Sequence, residues 1–273
     1  MIEIPESINL AKQIDRELSG KKIKNVFANH TPHGFAWYNG NPADYPQLFN
    51  GETVTGTDAY GGKLHIKLSG DCDFMFCDGV NIRYYTDGKL PKKHQLLMEF
   101  DDSTHLVCTI SMYGALLGFK GPYEHGYDDI ARIRPQVFSE EFSLDYFLSL
   151  LEGLDLSKTT VKAFLATNQR IPGLGNGVLH DILFNASVAP KRKLDTLSRD
   201  DFIAIYRSVK STLAKMIQEG GRDVEKDIYG RPGGYKTILS RLTYKSPCPR
   251  CGGEIKREAY LGGNVYYCVD CQK

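Results

Sequence analysis

The chain closes with two C-x2-C pairs, Cys248-Pro-Arg-Cys251 and Cys268-Val-Asp-Cys271, separated by sixteen residues. Each pair makes a tight knuckle that aims two sulfurs at one point, and the stretch between them is long enough for a β-hairpin that completes a tetrahedron. Gly252-Gly253 and Gly262-Gly263 supply the turns. This spacing predicts one zinc ion held by Cys248, Cys251, Cys268 and Cys271. Four sulfurs leave no coordination position for water, so the ion is expected to fold the module rather than to do chemistry. Disulfides would need an oxidising compartment. The first residues do not read as a secretory signal, and a cytoplasmic location is expected.

A net charge of +1 hides an asymmetry. Residues 1–156 carry 14 Lys+Arg against 22 Asp+Glu, whereas residues 157–273 carry 20 against 11. A basic half that contains a zinc ribbon suggests a polyanionic partner, with nucleic acid the usual one. No apolar run is long enough to span a bilayer. Cys72, Cys77 and Cys108 lack motif spacing and read as small buried residues.

The periodicity divides the chain. Residues 5–19 predict a helix with Ile8, Ala11, Ile14 and Leu18 on one face and Gly20 as its stop. Stretches 22–28, 63–68, 81–86, 95–100 and 104–110 then read as strands separated by turn residues, which predicts an antiparallel sandwich. A shift near Arg134-Pro135 opens a helical region. Its first helix is expected to be capped by Ser139, its second to run over 158–167, its third to start at Asn176, and its fourth to be capped by Ser198-x-x-Asp201. Residues 220–235, with five glycines, read as a mobile loop. The expected class is α+β: a β-sandwich with a flanking helix over 1–134, a helical domain over 135–235 and a zinc-ribbon hairpin over 236–273.

Gly173-Leu-Gly-Asn-Gly177 follows a helix and a proline rather than a strand, so it is not a dinucleotide-binding loop. A helix that starts here would present unhindered backbone N–H groups and the Asn176 amide, a good seat for one phosphate. His30-x2-His33 reads as a surface loop.

The turn I-x-G-L-G-N, the closing four-cysteine ribbon ending Tyr267-Cys-Val-Asp-Cys-Gln272-Lys, the sandwich-like first half and Tyr113-Gly-Ala-Leu-Leu117 together resemble the formamidopyrimidine-DNA glycosylase and endonuclease VIII family. The resemblance implies a helix-two-turn-helix domain beside the sandwich, with damaged double-stranded DNA lying across the cleft between them. It also implies a monomer associated with the nucleoid, and base-excision repair by a glycosylase and AP lyase acting through a Schiff base.

The resemblance assigns residues one by one. The family begins, after methionine, with Pro-Glu-Leu-Pro-Glu and uses the amine of that proline as nucleophile. This chain has Ile2-Glu3-Ile4-Pro5-Glu6. Glu3 matches the acid–base residue, Ile2 stands at the nucleophile's position, and Lys63 matches a cleft lysine that contacts phosphate and is the alternative amine, along with that of Met1. Asn176 matches the phosphate-binding asparagine. The arginine that fills the gap left by a flipped nucleotide is replaced in Ser111-Met112-Tyr113-Gly114, where Met112 and Tyr113 are the wedge candidates. Gly263 stands where the family grips phosphate with arginine in the ribbon. Tyr244, Lys256 and Arg257 are the remaining DNA-contact candidates, and strand alternation allows only one of Lys256 and Arg257 to face DNA. The alternative reading is a non-catalytic protein that binds bent or lesion-containing DNA.

Overall fold

The computed structural model describes residues 1–123 and 126–273. A helix α1 (Ile4–Leu18) precedes seven strands, β1 (Ile23–Ala28), β2 (Ala36–Trp37), β3 (Val54–Tyr60), β4 (Lys63–Leu68), β5 (Cys72–Tyr85), β6 (Leu96–Phe100) and β7 (His105–Lys120). A short helix α2 (Tyr45–Phe49) lies between β2 and β3. The strands pair in the order β1-β6-β7-β5-β4-β3, all antiparallel, and β2 lies parallel to β7.

The sandwich is one sheet folded over itself. β5 and β7 are 14 and 16 residues long, and their register slips between Asp78 and Val80. A bulge at this point bends both strands and increases their twist. Gly79 permits it, because a Cβ there would lie 2.4 Å from the Tyr113 carbonyl oxygen. The two halves of the bent sheet enclose a core that includes Ile23, Leu64, Phe74, Phe76, Met98 and Phe100. Sequence periodicity located only the second half of β5 and the first half of β7, since the buried run Phe74-Met75-Phe76 does not alternate.

α1 joins two cores. Leu10, Ala11, Ile14 and Leu18 pack on the sheet, while Ile4 belongs to the helical core beyond it. After a helix α3 (Gly126–Ile133), that second core is built by α4 (Leu144–Ser149), α5 (Asn176–Ala186), α6 (Arg199–Gln218) and the segments around them.

Three expectations need correction. The cap of α4 is Ser143, whose Oγ accepts the Tyr146 N–H at 3.1 Å; Ser139 instead sits in a turn that brings Phe142 into the core. The helix expected over 158–167 is largely a π-helical segment, Ala163–Thr167. Residues 220–235 are strapped down, with Ile228 in the sandwich core, Tyr235 in the helical core and the Tyr84 N–H bonded to the Ile228 carbonyl at 2.8 Å. The capping box of Ser198 and Asp201 is as expected. The chain ends in the hairpin β8 (Ile255–Tyr260) and β9 (Gly263–Cys268), which packs on the far end of α5 through Phe184 and Tyr266.

Candidate active site and metal centre

Two turns converge on the start of α1. The β3–β4 turn, Gly61-Gly62, and the turn before α5 meet backbone to backbone, and both Gly62 and Gly173 take positive φ. Added side chains would collide: a Cβ on Gly62 would lie 2.7 Å from the Gly173 Cα. The chain start is tied to both lobes, with the Ile2 N–H donating to the Asp78 carbonyl at 2.8 Å and the Ile4 N–H donating to the Gly173 carbonyl at 3.1 Å. A cavity of about 50 Å³ remains between them, lined by Met1, Ile2, Glu3, Lys63, Asp78 and Gly175 among others.

Glu3 is buried at the N-terminus of α5. Its two carboxylate oxygens accept the Gly177 N–H at 2.9 Å and the Val178 N–H at 2.8 Å. The N–H groups expected to wait for a phosphate are therefore occupied by the protein's own carboxylate. This explains the glycine spacing. A Cβ on Gly175 would lie 2.5 Å from Glu3 Oε1, and one on Gly177 would overlap the Arg222 guanidinium. Burial raises the pKa of Glu3, against the opposing pull of Arg222 and the two N–H bonds.

Arg222 has 1% of its surface exposed. It bonds Glu6 through Nε at 2.9 Å and Nη2 at 2.6 Å, and its Nη1 lies 3.5 Å from Glu3. Burial works against its charge, but the two carboxylates outweigh burial and hold it protonated. Next to it, the Met1 α-amino group pairs with Glu225 at 2.8 Å. Sequence reading missed Arg222, Glu6 and Asp78. The local signal was an arginine directly after the glycine pair Gly220-Gly221, and its buried partners Glu3 and Glu6 lie more than two hundred positions away in the chain.

Lys63, the first residue of β4, is 4% exposed and lies on the cavity wall with Glu3. Tyr113 approaches the same group of residues: burial, then the charges of Asp78 and Glu3, raise the pKa of its phenol. Met112 is 70% exposed beside it. Asn176 sits at the other end of the turn. Its Nδ2 donates to the Asn264 carbonyl at 2.8 Å, and its buried Oδ1 has no hydrogen-bond partner. Gly263 abuts this amide, with a Cβ there predicted to lie 3.2 Å from Asn176 Nδ2. Arg257 reaches across the hairpin to Asn264 Oδ1 at 3.3 Å and lies over the Tyr244 ring, so it is on the Asn176 side. Lys256 points the other way, towards Glu258 and Tyr267. The structure thus gathers Ile2, Glu3 and Lys63 at one cavity, with Tyr113 outside its lining but near Asp78 and Glu3, and Asn176, Arg257 and Tyr244 at the ribbon.

The four C-terminal cysteines come together as the spacing predicts. Cys248 and Cys271 sulfurs are 3.8 Å apart, those of Cys251 and Cys268 are 3.5 Å apart, and all four lie within 4.8 Å of one another. A tetrahedral zinc with Zn–S bonds of about 2.3 Å has sulfur–sulfur edges of about 3.8 Å. The donors therefore fit such an ion. Burial raises the Cys248 thiol's pKa, but the Arg250 and Cys251 backbone N–H groups overcome this and hold it at about 7, as a metal-binding thiolate needs. Arg250 of the first knuckle bonds the Phe184 carbonyl at 2.9 Å and the Ser187 hydroxyl at 2.7 Å, which fastens the ribbon to the end of α5.

A folded-over sandwich, a helix pair opened by a glycine turn and a four-cysteine ribbon define a helix-two-turn-helix protein with a metal-ribbon appendage. Residues 133–227 match the family model described as the formamidopyrimidine-DNA glycosylase H2TH domain. Over their full lengths, this chain and a formamidopyrimidine-DNA glycosylase of Bacillus licheniformis are 25% identical. With the enzyme of Neisseria meningitidis the identity is 29% over 206 residues, 74% of this chain and 64% of that one. The fold superposes on MutM (Fpg) of Thermus thermophilus with a TM-score of 0.81 at 21% identity, covering 99% and 98% of the two chains. It superposes on the Lactococcus lactis Fpg in complex with DNA containing an abasic site with a TM-score of 0.83 at 21% identity, covering 99% of both. The chain thus carries an H2TH domain of the formamidopyrimidine-DNA glycosylase type and is similar to that family over its whole length.

Proposed function

We propose that this protein binds duplex DNA at an abasic or oxidised-base site and forms a Schiff base with the exposed sugar through Lys63. The observation that carries the reading is the seating of Lys63 beside Glu3 in one cavity between the two lobes. Lys63 shares the cavity wall with Glu3, and the position-2 nitrogen is an amide that donates to the Asp78 carbonyl.

In this reading Lys63 Nζ attacks C1′ of the ring-opened sugar, Glu3 passes the protons, and water leaves as the imine forms. The cationic imine acidifies C2′. Loss of a C2′ proton then breaks the C3′–O bond and releases the phosphate, which nicks the strand. Asn176 and Arg257, with Tyr244 behind it, grip phosphates on one side of the cleft, and Met112 and Tyr113 wedge the duplex on the other. The ribbon ion is zinc, and it keeps Arg257 and Asn264 in place against Asn176. Lys256, on the opposite face, is excluded from the contact.

The basic second half supports DNA as partner, since the salt dependence of binding should report several neutralised phosphates. The loss of the position-2 amine also favours a second reading, a lesion-binding protein that does not cut. Titrating labelled duplexes tests binding first: abasic duplex should bind more tightly than intact duplex, with affinity falling steeply with salt. Equal affinity for the two would remove both readings.

A further inference from the structure

The acidic N-terminal half carries one patch that its charge does not explain. Phe35 is 62% exposed, Trp37 50% and Met112 70%, all at one corner of the sheet. The corner is tied to β7. Gly114 N–H donates to the Phe35 carbonyl at 3.0 Å, Ala36 and Trp37 pair with Gly114 and Ala115, and the Trp37 ring lies 6.2 Å from that of Tyr113.

The patch is continuous with the cavity. Asp78 pairs with Gly114 across β5 and β7, and Gly114 pairs with Ala36, so Trp37 stands two strands from the cavity wall with Tyr113 between. A basic flank borders it. His30 stacks on His94 with ring centres 4.3 Å apart, and Thr31 N–H donates to the His94 carbonyl at 2.9 Å, which docks the loop bearing the exposed Lys89, Lys92 and Lys93 against residues 29–33. Aromatic faces interleaved with cations are what an unstacked nucleobase and its phosphates require.

We propose that Trp37, with Phe35 and Met112, is a stacking platform for the base left unpaired opposite the lesion, flanked by Lys89, Lys92 and Lys93 on that strand's phosphates. This rests on the lesion-binding reading and deepens it. An arginine in this role reads the orphaned base by hydrogen bonds. A platform made of rings and a thioether accepts any base, because every base has a π-face. The protein should therefore discriminate little between bases opposite an abasic site.

Trp37 is the chain's single tryptophan, so its fluorescence reports this corner alone. Abasic duplex is titrated into the zinc-loaded full chain, with tryptophan emission and the anisotropy of a label at the DNA end read in parallel. The expected result is quenching that tracks anisotropy, about tenfold weaker abasic-site binding by Trp37→Ala, and near-wild-type binding by Trp37→Phe. Affinities should differ less than about threefold among the four opposite bases, well below what one base-specific hydrogen-bonded pair gives. Anisotropy that saturates without quenching, or a Trp37→Ala affinity equal to wild type, overturns the platform and leaves lesion binding intact. If the anisotropy does not distinguish abasic from intact duplex, the lesion-binding reading falls and the platform with it.

Discussion

Gly62 and Gly173 touch with no side chain between them, and a Cβ on Gly173 would lie 2.2 Å from the Gly62 backbone nitrogen. This contact brings the β3–β4 turn, and with it Lys63, up to the helix that holds Glu3. Gly173 also needs its φ of +76°. Gly173→Ala should therefore cost about 2–4 kcal/mol, combining a left-handed alanine with backbone overpacking. Thermal unfolding should show the loss, and abasic-DNA binding should weaken together with it. A wild-type melting temperature would mean that the two lobes do not meet at this point.

Arg222 is the second fastening. It sits between Glu3 and Glu6, so Arg222→Met would leave two buried carboxylates facing each other without a cation. Breaking a buried pair from one side costs about 3–5 kcal/mol. Urea unfolding measures it, and a loss below about 1 kcal/mol would show that solvent reaches these groups.

The two fastenings differ in how far the sequence discloses them. The cysteine spacing, the α1 periodicity and the Ser198 capping box are local signals, and each is legible within about twenty residues. The glycines of Gly173-Leu-Gly-Asn-Gly177 were visible but not their reason: each glycine makes room for a distant group, the β3–β4 turn, Glu3 and Arg222 in turn. The Ser139 expectation failed because Ser143 offers the same chemistry one turn later and leaves Phe142 free to enter the core. The loop over 220–235 was misread because glycine content reports conformational freedom, whereas its order comes from burying Arg222, Ile228 and Tyr235.

His180 and Asp181, adjacent on α5, should make opposite contributions to acid stability. Burial lowers the His180 pKa from 6.5 to about 3, so between those values the unfolded chain binds a proton that the folded chain does not, and stability falls as pH falls. Burial raises Asp181 from 3.8 to about 6, against the bonds it accepts from Ile238 and Leu239 N–H. Between those values the folded chain keeps a proton that the unfolded chain releases, and stability rises as pH falls. Each contributes a slope of about 1.4 kcal/mol per pH unit, and the slopes cancel between about pH 4 and 6. His180→Gln should gain stability relative to wild type as pH drops through this window, and Asp181→Asn should lose it. Urea unfolding at pH 4.5 and 7 checks both, and parallel profiles for the two variants would contradict the assignment.

Removing the ribbon ion should act locally first. One zinc per chain is expected by elemental analysis. Chelation, or Cys251→Ser, should release β8 and β9 and the Asn264–Asn176 bond while the sandwich remains folded. Amide exchange would show protection lost over 248–273 and kept in β4 and β5. Unchanged protection of the hairpin after the metal is stripped would mean that packing on Phe184 alone suffices.

The most direct measurement is borohydride trapping on a duplex carrying an abasic site, with the linked peptide identified by mass spectrometry. Lys63 in the cavity beside Glu3 predicts a covalent adduct on the Lys63 peptide, lost in Lys63→Arg, which keeps the charge but not the nucleophile. An adduct on the Met1 peptide, or none despite tight binding to the same duplex, would contradict Lys63 as the amine, and the second outcome would leave a lesion-binding protein that does not cut.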